Sequence, residues 1–190
     1  MPEIYGLSYE VKRSSRKTLN LSIRQDGSLL VRAPHWLPES EIRRFLLEKQ
    51  EWVRKNILKV RKAAKAADAA EQFSAEEMKE MARRAAEVIP EKVAFYSRKI
   101  GVTYGRITIR CQKTRWGSCS SKGNLNFNCL LMKVPPEVLD SVVVHELCHR
   151  KEMSHSARFY TEVLRVFPEY RRWERWLKEN GGALMARVPR

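Results

Sequence analysis

The chain has 190 residues, and its 37 Lys and Arg residues against 22 Asp and Glu residues give a formal net charge of +15. Hydrophobic residues make up 43% of the sequence, enough to build a core, so the composition excludes wholesale disorder. Because the apolar runs are only a few residues long and the N-terminus lacks a basic start followed by an apolar core, we expect no membrane-spanning helix, no signal peptide and a cytoplasmic protein.

The excess positive charge lies at both ends of the chain. Residues 1–70 hold 15 basic and 8 acidic side chains, residues 71–100 hold 6 of each, and residues 101–190 hold 16 and 8. The charge suggests an anionic partner such as a nucleic acid or a nucleotide. A solvated basic surface is the commoner origin of such a composition.

Alternating apolar residues predict β structure over the first 34 residues. Two alternating stretches, 5–11 and 19–23, precede an Asp26-Gly27 pair, and the strand pattern resumes at 29–33. An Asp-Gly pair between two such stretches is a strong hairpin signal. We therefore predict an N-terminal hairpin or meander.

A long amphipathic helix is predicted next. Its apolar face, at spacings of three and four, carries Ile42, Phe45, Leu46, Trp52, Val53, Ile57 and Val60. The Ala- and Lys-rich stretch 62–70 either continues this helix or separates two halves. We predict two domains: 1–70, with the β-meander and the long helix, and 71–190.

The second domain is predicted to combine helices with a small antiparallel sheet. Ser74 and Glu77 form a capping-box pattern at the start of a helix that Gly101 ends. Alternation predicts strands at 107–111 and 125–131. The opposite face of the second strand carries Asn124, Asn126 and Asn128.

Three further helices are predicted towards the C-terminus. The Pro135-Pro136 pair opens the first, Ser156 caps the second, and the third runs from about 169 to 180, where Gly181-Gly182 ends it. Tryptophan alternates with arginine in this last helix, and stacking on nucleic-acid bases is one interpretation. We favour packing of the tryptophans in the core. The same two interpretations apply to Trp36, Trp52 and Trp116.

The four cysteines are Cys111, Cys119, Cys129 and Cys148. They form no CxxC pair, so the spacing does not support a zinc ribbon. Disulfides are rare without a secretion signal. We expect four free thiols that pack as small hydrophobic groups.

Three of the four histidines lie within eleven residues, and two of them belong to an H-E-x-x-H motif formed by His145, Glu146 and His149. At a helical spacing of four, both imidazoles project from one face about 6 Å apart, so each can reach one zinc ion at about 2.0–2.1 Å. Glu146 lies one step round the helix, where a general base for a water molecule belongs. The neighbouring residues 142–144 and Leu147 predict a buried helix, in which a metal would satisfy the polar side chains. Two ordinary surface histidines are the alternative.

His155 follows His145 by ten residues, the offset of the third ligand in the H-E-x-x-H-x-x-G-x-x-H pattern. Glu152 stands where that pattern has glycine, so the chain has to turn differently. Glu162 and Glu169 are the alternative third ligands. We favour His155, because a neutral imidazole is a common zinc ligand.

Hydrolysis by such a site also needs a donor for the developing oxyanion. The candidates are Arg115, Asn126 and Tyr160, for which an ion pair, a solvated strand face and core packing are the structural alternatives. A strand beside the site helix could hold a peptide by edge pairing, and we predict residues 123–131 for that role.

Several segments carry a resemblance to a known family. They are Arg115-Trp116-Gly117-Ser118-Cys119, Gly123 with Leu125 and Asn126, residues 143–149, Ser154-His155-Ser156 with Phe159, Arg16-Lys17-Thr18-Leu19, and Arg32-Ala33-Pro34. Together they resemble the YgjP-like metallopeptidase family (domain of unknown function 45) over nearly the whole chain. The resemblance implies a zincin-like fold related to the SprT-like and WLM peptidases. It further implies that His145, His149 and His155 are zinc ligands and Glu146 is the catalytic glutamate. Ser154 replaces an Asn that is common at its place.

We therefore predict a zinc-dependent hydrolase, a metallopeptidase with peptide or protein substrates, whose zincin-like catalytic domain is 71–190 in an α+β fold. A second hypothesis keeps the zinc and changes the substrate to a nucleotide phosphoanhydride, which the basic charge would attract. A third hypothesis is a basic nucleic-acid-associated module with a structural zinc. Three ligands and an open position argue against the third, because structural zinc sites are usually closed by four ligands.

Overall fold

The computed structural model describes residues 3–24, 26–69 and 71–189, with side chains except over 61–69. The chain divides into two compact units, Met1–Ala69 and Ala70–Arg190. Helices and small sheets both occur, so the predicted α+β class is confirmed. None of the helices in the described ranges has the length and apolar character needed to cross a membrane.

A four-stranded sheet forms the base of the first unit. Its strands are β1 (Glu3–Ile4), β2 (Leu7–Ser14), β3 (Asn20–Ile23) and β4 (Leu29–Pro34), in the order β1-β2-β4-β3. The predicted hairpin is confirmed, because β3 pairs antiparallel with β4 and Ile23 lies opposite Leu29. Gly27 in its turn has a φ of 84°, a left-handed conformation that favours glycine. A simple meander would place β2 beside β3, whereas β4 lies between them and runs parallel to β2.

Two helices, α1 (Glu39–Glu48) and α2 (Gln50–Ala69), occupy the range of the predicted single helix. Lys49 separates them, with φ −90° and ψ 8°. Among the described side chains of these helices, the buried ones are Ile42, Leu46, Val53 and Ile57. Trp52 is 43% exposed, so its predicted place on the apolar face is wrong. Trp52 lies about 100° round the helix from Val53, which takes the buried position.

The second unit begins with the long helix α3 (Ala75–Ile100), whose ends are as predicted. Glu77 N donates to Ser74 Oγ at 3.1 Å and Ser74 N donates to Glu77 Oε2 at 2.8 Å, so the capping box is confirmed. Gly101 ends the helix in a left-handed conformation, with a φ of 77°. The apolar face of α3 packs in the main core of this unit.

A three-stranded sheet follows, made of β5 (Ile107–Arg110), β6 (Gly117–Cys119) and β7 (Leu125–Asn128) in the order β5-β7-β6. The pair β6–β7 is antiparallel, whereas β5 runs parallel to β7, so the sheet is mixed and not purely antiparallel. The last strand stops at Asn128, before the predicted end at 131, because the chain turns into a short 3-10 helix at Cys129–Lys133.

Cys111 and Cys129 form a disulfide, so the expectation of four free thiols is wrong for this pair. The parallel register places Arg110 opposite Asn128, so the next residue of each strand emerges beside the other, with Cα atoms 5.4 Å apart. Cys148 is a free, buried thiol, as predicted. Burial raises the pKa of Cys148 to about 12, which keeps the thiol neutral in its packing role.

Three helices complete the second unit: α4 (Pro136–Cys148), α5 (Ala157–Val166) and α6 (Tyr170–Ala186). Helix α4 begins at the predicted proline pair. Ser156 caps α5, as predicted, because its Oγ accepts a hydrogen bond from Phe159 N at 3.3 Å. In α6, Trp173 and Trp176 are half-buried and their arginine neighbours are exposed.

Helix α6 continues through Gly181 and Gly182, so the predicted helix end at this pair is wrong. Gly181 is buried against Trp116, and a Cβ atom on it would lie 2.9 Å from Trp116 Cζ2. The glycine therefore allows a tryptophan to approach the helix backbone closely, and it does not act as a helix stop.

The two neighbouring glycines of α6 provide a matched test of this contact. Alanine favours a helix over glycine by about 0.5–1 kcal/mol, and a Cβ on Gly182 meets no atom within 4 Å. We expect Gly182→Ala to raise the free energy of unfolding by about 0.5–1 kcal/mol in urea denaturation, and Gly181→Ala to lower it. Equal stabilisation by both substitutions would contradict the Trp116 contact.

Candidate metal centre

Helix α4 places the H-E-x-x-H motif in the core of the second unit. Its apolar residues Val143, Val144 and Leu147 are fully buried, which confirms the predicted buried helix. Two polar side chains of the motif are buried with them, since Glu146 is 6% exposed and His149 is 8% exposed. Buried polar groups of this kind need partners, because water is excluded from them.

The chain turns directly after α4 and returns His155 to the motif. Glu152 organises this turn: its Oε1 accepts hydrogen bonds from Ser154 N at 3.1 Å and from Ser154 Oγ at 2.7 Å. The backbone oxygen of Glu152 also lies 3.1 Å from His149 Nδ1. A glutamate thus shapes the turn at the position where the related zinc motif has glycine.

The Nε2 atoms of all three histidines converge on one point. His145 Nε2 lies 3.2 Å from His149 Nε2 and 3.0 Å from His155 Nε2. Ligands at zinc–nitrogen distances of about 2.0–2.1 Å in a tetrahedral arrangement are about 3.3 Å apart. The three imidazoles therefore fit a divalent metal ion in both donor chemistry and spacing.

The alternative carboxylate ligands lie outside this cluster. Glu162 pairs with Lys151 Nζ at 2.6 Å and with Arg165 at 2.7 Å, and these cations lower the pKa of the Glu162 carboxyl to about 2. Glu169 lies near Arg172, at 3.8 Å. Among the residues with described side chains, the group that could hold a metal consists of the three histidines alone.

Two outer contacts fix the orientation of the imidazoles on α4. Tyr170 at the start of α6 places its hydroxyl 2.8 Å from His145 Nδ1, and the backbone oxygen of Glu152 lies beside His149 Nδ1. When each Nδ1–H donates to its oxygen, the Nε2 atom keeps a free lone pair. These contacts therefore select the tautomer that a metal ligand requires.

Phe159 forms an apolar wall behind the histidines. Its fully buried ring lies with its centroid 4.9 Å from His145, 4.6 Å from His149 and 5.0 Å from His155. Burial, together with the neighbouring imidazoles of His149 and His155, lowers the pKa of His145 to about 3. Burial also lowers the pKa of His149. The imidazoles of His145 and His149 are therefore neutral at neutral pH, as metal binding requires.

Glu146 is held between the core and β6. A Cβ atom on Gly117 would lie 2.6 Å from Glu146 Oε1 and 2.8 Å from its Cγ, so the strand reaches this position because residue 117 is glycine. Burial raises the pKa of Glu146 to about 8, and the positive charge of Arg115 acts in the opposite direction. The carboxyl is thus poised to exchange a proton near neutral pH.

The remaining candidates take different places. Arg115 is exposed and acts on Glu146 through its charge. Tyr160 is half-buried beside the histidines, with its ring centroid 6.4 Å from that of His155 and the Arg171 guanidinium 3.9 Å above its ring. Asn126 Nδ2 donates to Ser118 Oγ at 3.1 Å, a cross-strand bond rather than a contact with the histidines.

The predicted peptide-pairing segment 123–131 is in the wrong place for that role. Strand β7 is the middle strand of the sheet, so its two edges are already paired with β5 and β6. Strand β6 instead forms the edge of this sheet next to Glu146. The alternation in β7 predicts a strand correctly, but it carries no information on which strands lie at either side.

The sequence pattern assigns no role in the site to three further residues, Asn128, Tyr170 and Phe159. Asn128 is fully buried rather than solvated: its Nδ2 donates to Gln112 O at 2.7 Å and to Arg115 O at 2.8 Å, which fixes the loop before β6. Tyr170 and Phe159 complete the surroundings of the histidines. Phe159 has a local signal, since it follows His155 by one helical turn, whereas nothing near Tyr170 indicates a contact 25 residues back along the chain.

Comparison with known proteins identifies the family. The family described as YgjP-like, metallopeptidase domain matches residues 17–80 and 72–180, and the chain belongs to this family. Two crystal structures are similar to part of it: the metallopeptidase zymogens abylysin of Pyrococcus abyssi and jannalysin of Methanocaldococcus jannaschii. Each is 22% identical to this chain, with a TM-score of 0.44. The similar region spans 48% of this chain, 94% of abylysin and 95% of jannalysin. No curated protein matches the chain.

The Tyr170 hydroxyl is expected to strengthen metal binding. Tyr170→Phe removes one oxygen and leaves His145 Nδ1 without its partner, so we expect zinc affinity to fall about tenfold or more. Competition with a chromophoric chelator measures this change. Tyr160→Phe is the matched control, since its hydroxyl makes no hydrogen bond to a histidine in the described part of the chain. Equal affinities of Tyr170→Phe and the wild type would contradict the orienting role.

The raised pKa of Glu146 predicts a pH-dependent stability of the metal-free protein. Its pKa is about 8 in the folded protein against an ordinary value of 4.5, so folding is favoured by the protonated form. The stability that this group contributes is fully present below pH 4.5 and is lost as the pH rises to 8.

Glu146→Gln should remove this loss. We expect the metal-free variant to be more stable than metal-free wild type, by an amount that grows between pH 4.5 and 8 to at most about 5 kcal/mol. Urea denaturation at pH 5, 7 and 9 measures the difference, with Glu169→Gln as the control for an exposed carboxylate. A difference that does not change with pH would contradict the buried, protonated state.

Proposed function

We propose that this chain is a zinc-dependent metallopeptidase in which His145, His149 and His155 hold the zinc ion and Glu146 is the general base. Membership of a metallopeptidase family supports the reaction class. The observation that carries the residue assignment is the convergence of three Nε2 atoms, since those of His149 and His155 lie 3.2 and 3.0 Å from His145 Nε2, next to the buried Glu146.

The donor set favours zinc at a catalytic rather than a structural site. Three neutral imidazoles are the ligand set of several catalytic zinc ions, which keep a fourth position open, whereas structural sites are closed by four protein ligands. A zinc ion held there would polarise a substrate carbonyl and make a water molecule more acidic. The oxygens beside His145 Nδ1 and His149 Nδ1, together with the Phe159 wall, keep the imidazoles oriented for this task.

Glu146 is the group that would move the proton. Its carboxylate accepts a proton from the attacking water and returns it to the leaving amine of the peptide bond. Burial raises its affinity for the proton, and the Arg115 charge counteracts part of that effect. A zinc ion held by the histidines would lower the pKa of Glu146, as the Arg115 charge does, and would keep Glu146 ionised before the reaction.

Strand β6 is the proposed docking edge for the peptide. It pairs with β7 on one side, and Gly117 at its start lies against Glu146 without an intervening side chain. An extended peptide that adds to the free side of β6 would therefore run past the general base. This assignment replaces residues 123–131, whose strand has neighbours on both sides.

Tyr160 is the proposed donor to the developing oxyanion. It lies next to His155, and the Arg171 guanidinium above its ring holds it in place. Asn126 is less suited, because Ser118 already accepts a hydrogen bond from its amide. Arg115 is suited to act on Glu146 through its charge. The cytoplasmic location stays a prediction of the sequence.

A substrate screen with matched variants tests this function. We expect purified protein to bind one zinc ion per chain and to hydrolyse a quenched-fluorescent peptide library. Glu146→Gln should retain the metal and lose about 10²-fold or more of kcat, because it keeps the shape of the side chain and removes the base. Glu169→Gln, a change of an exposed carboxylate, should leave zinc content and rate unchanged.

The same screen distinguishes the alternatives. Hydrolysis of nucleoside triphosphates but not peptides, lost in Glu146→Gln, would assign the site to phosphoanhydrides. Unchanged rates in Glu146→Gln on both substrate classes would contradict a catalytic role for the site. Loss of zinc in Glu169→Gln but not in His155→Ala would overturn the third ligand.

A further inference from the structure

We propose that one end of the sheet in the first unit binds single-stranded nucleic acid. The surface consists of Arg16, Lys17, Arg32 and Trp36, and we call it the Trp36 surface. The proposed zinc chemistry requires none of these side chains, although the segments 16–19 and 32–34 carry part of the family resemblance. The inference is therefore independent of the proposed peptidase function.

The strand register brings these residues together. Strands β2 and β4 run parallel with Ser14 opposite Pro34, and His35 N donates to Ser14 O at 3.1 Å, which extends the pairing by one step. The two segments that follow these strands therefore leave the sheet at the same end. One of them contains Arg16 and Lys17, and the other contains Trp36.

Trp36 is presented to solvent on a fixed turn. It is 72% exposed, the highest value among the large hydrophobic side chains of the described chain. The Arg13 guanidinium donates to the oxygens of Pro34 at 3.2 Å, His35 at 3.2 Å and Leu37 at 2.6 Å. A turn held on both sides of an exposed tryptophan loses little conformational freedom when a ligand covers the ring.

The charge around Trp36 is positive after internal pairing is taken into account. Glu39 pairs with Arg13, and Glu10 pairs with Arg24 and lies 3.8 Å from Lys12. By contrast, no ion pair joins Arg16, Lys17 or Arg32 to a carboxylate among the residues with described side chains. Arg16 is half-exposed, and its Nε atom, which is buried, has no hydrogen-bond partner among those residues.

Arg32 extends the positive surface from the loop onto the sheet. It is the exposed residue in the middle of β4, and its neighbours across the strands are Lys12 on β2 and Asn20 on β3. Cations therefore continue from the end of the sheet onto its outer face. A phosphate backbone that runs from the loop onto this face would meet the cations of both.

The combination of an exposed indole ring and unpaired cations matches one ligand chemistry. Unpaired bases stack on an aromatic side chain while their phosphates contact lysine and arginine, which is how single strands are bound without sequence readout. A duplex keeps its base faces covered and offers nothing to the indole ring. An acidic protein segment would satisfy the cations but has no flat rings to stack.

Fluorescence anisotropy with the full chain tests the Trp36 surface. The probes are fluorescein-labelled 20-mers of thymidylate and uridylate, a duplex of mixed sequence, and labelled polyglutamate. We expect the single strands to bind more tightly than the duplex and polyglutamate, and affinity to fall as salt increases. Trp36→Ala should weaken single-strand binding about tenfold, whereas Trp52→Ala, a change of the other exposed tryptophan of this unit, should not.

A second pair of variants separates this surface from general charge. The double change Lys17→Gln and Arg32→Gln should reduce the slope of log affinity against log salt by about 1.4, since each phosphate contact on a single strand contributes about 0.7. The double change Lys55→Gln and Lys59→Gln on α2 removes the same charge and should leave the slope near the wild-type value. Circular dichroism confirms that each variant is folded.

Three outcomes would overturn the proposal. The first is an affinity of Trp36→Ala equal to that of the wild type. The second is polyglutamate or duplex binding as tight as that of the single strands, which would indicate ion exchange or duplex binding. The third is an equal effect of the two double changes. We expect all of these variants to keep their peptidase activity. A negative result in the binding experiments therefore does not bear on the proposed zinc site.

Discussion

The burial of a carboxyl and an imidazole, Glu146 and His149, at the end of the most apolar helix of the second unit is the constraint on which the site depends. Val143, Val144 and Leu147 hold α4 in the core, so Glu146 and His149 cannot turn to water. Oxygens beside the Nδ1 atoms of His145 and His149 offset part of the cost for the imidazoles. The same burial keeps the imidazoles neutral and raises the proton affinity of Glu146.

The three-stranded sheet positions the residues on the other side of Glu146. Because β7 lies between β5 and β6, its register sets both the disulfide at Cys111 and the position of Gly117. Asn128 then fixes the loop between these two points by donating to two of its backbone oxygens. The edge strand, the loop and the Arg115 charge are therefore held relative to α4 by one strand at the centre of the sheet.

What could be predicted from the sequence is the part that depends on local spacing. The capping box at Ser74, the buried α4 and the approach of His155 to the motif follow from intervals of three, four and ten residues. The rest depends on neighbours that are distant along the chain. The sequence predicts a helix end at Gly181 because nothing local shows that the Trp116 ring packs against it. It predicts peptide pairing at β7 because alternation does not reveal strand order. The contact of Tyr170 with His145 cannot be predicted for the same reason, since the two residues are 25 positions apart.

The ten-residue interval between His145 and His155 has a consequence for the unfolded chain. Closing a loop of that length costs about 2 kcal/mol of entropy beyond a constant, so an unfolded segment can still gather all three imidazoles round a cation. A ligand that binds both states stabilises the native one only by the difference in affinity. The proposed metal should therefore protect this protein from unfolding less than its affinity for the folded site suggests. It can also bind before the rest of the unit, with Tyr170 and β6, has folded around it.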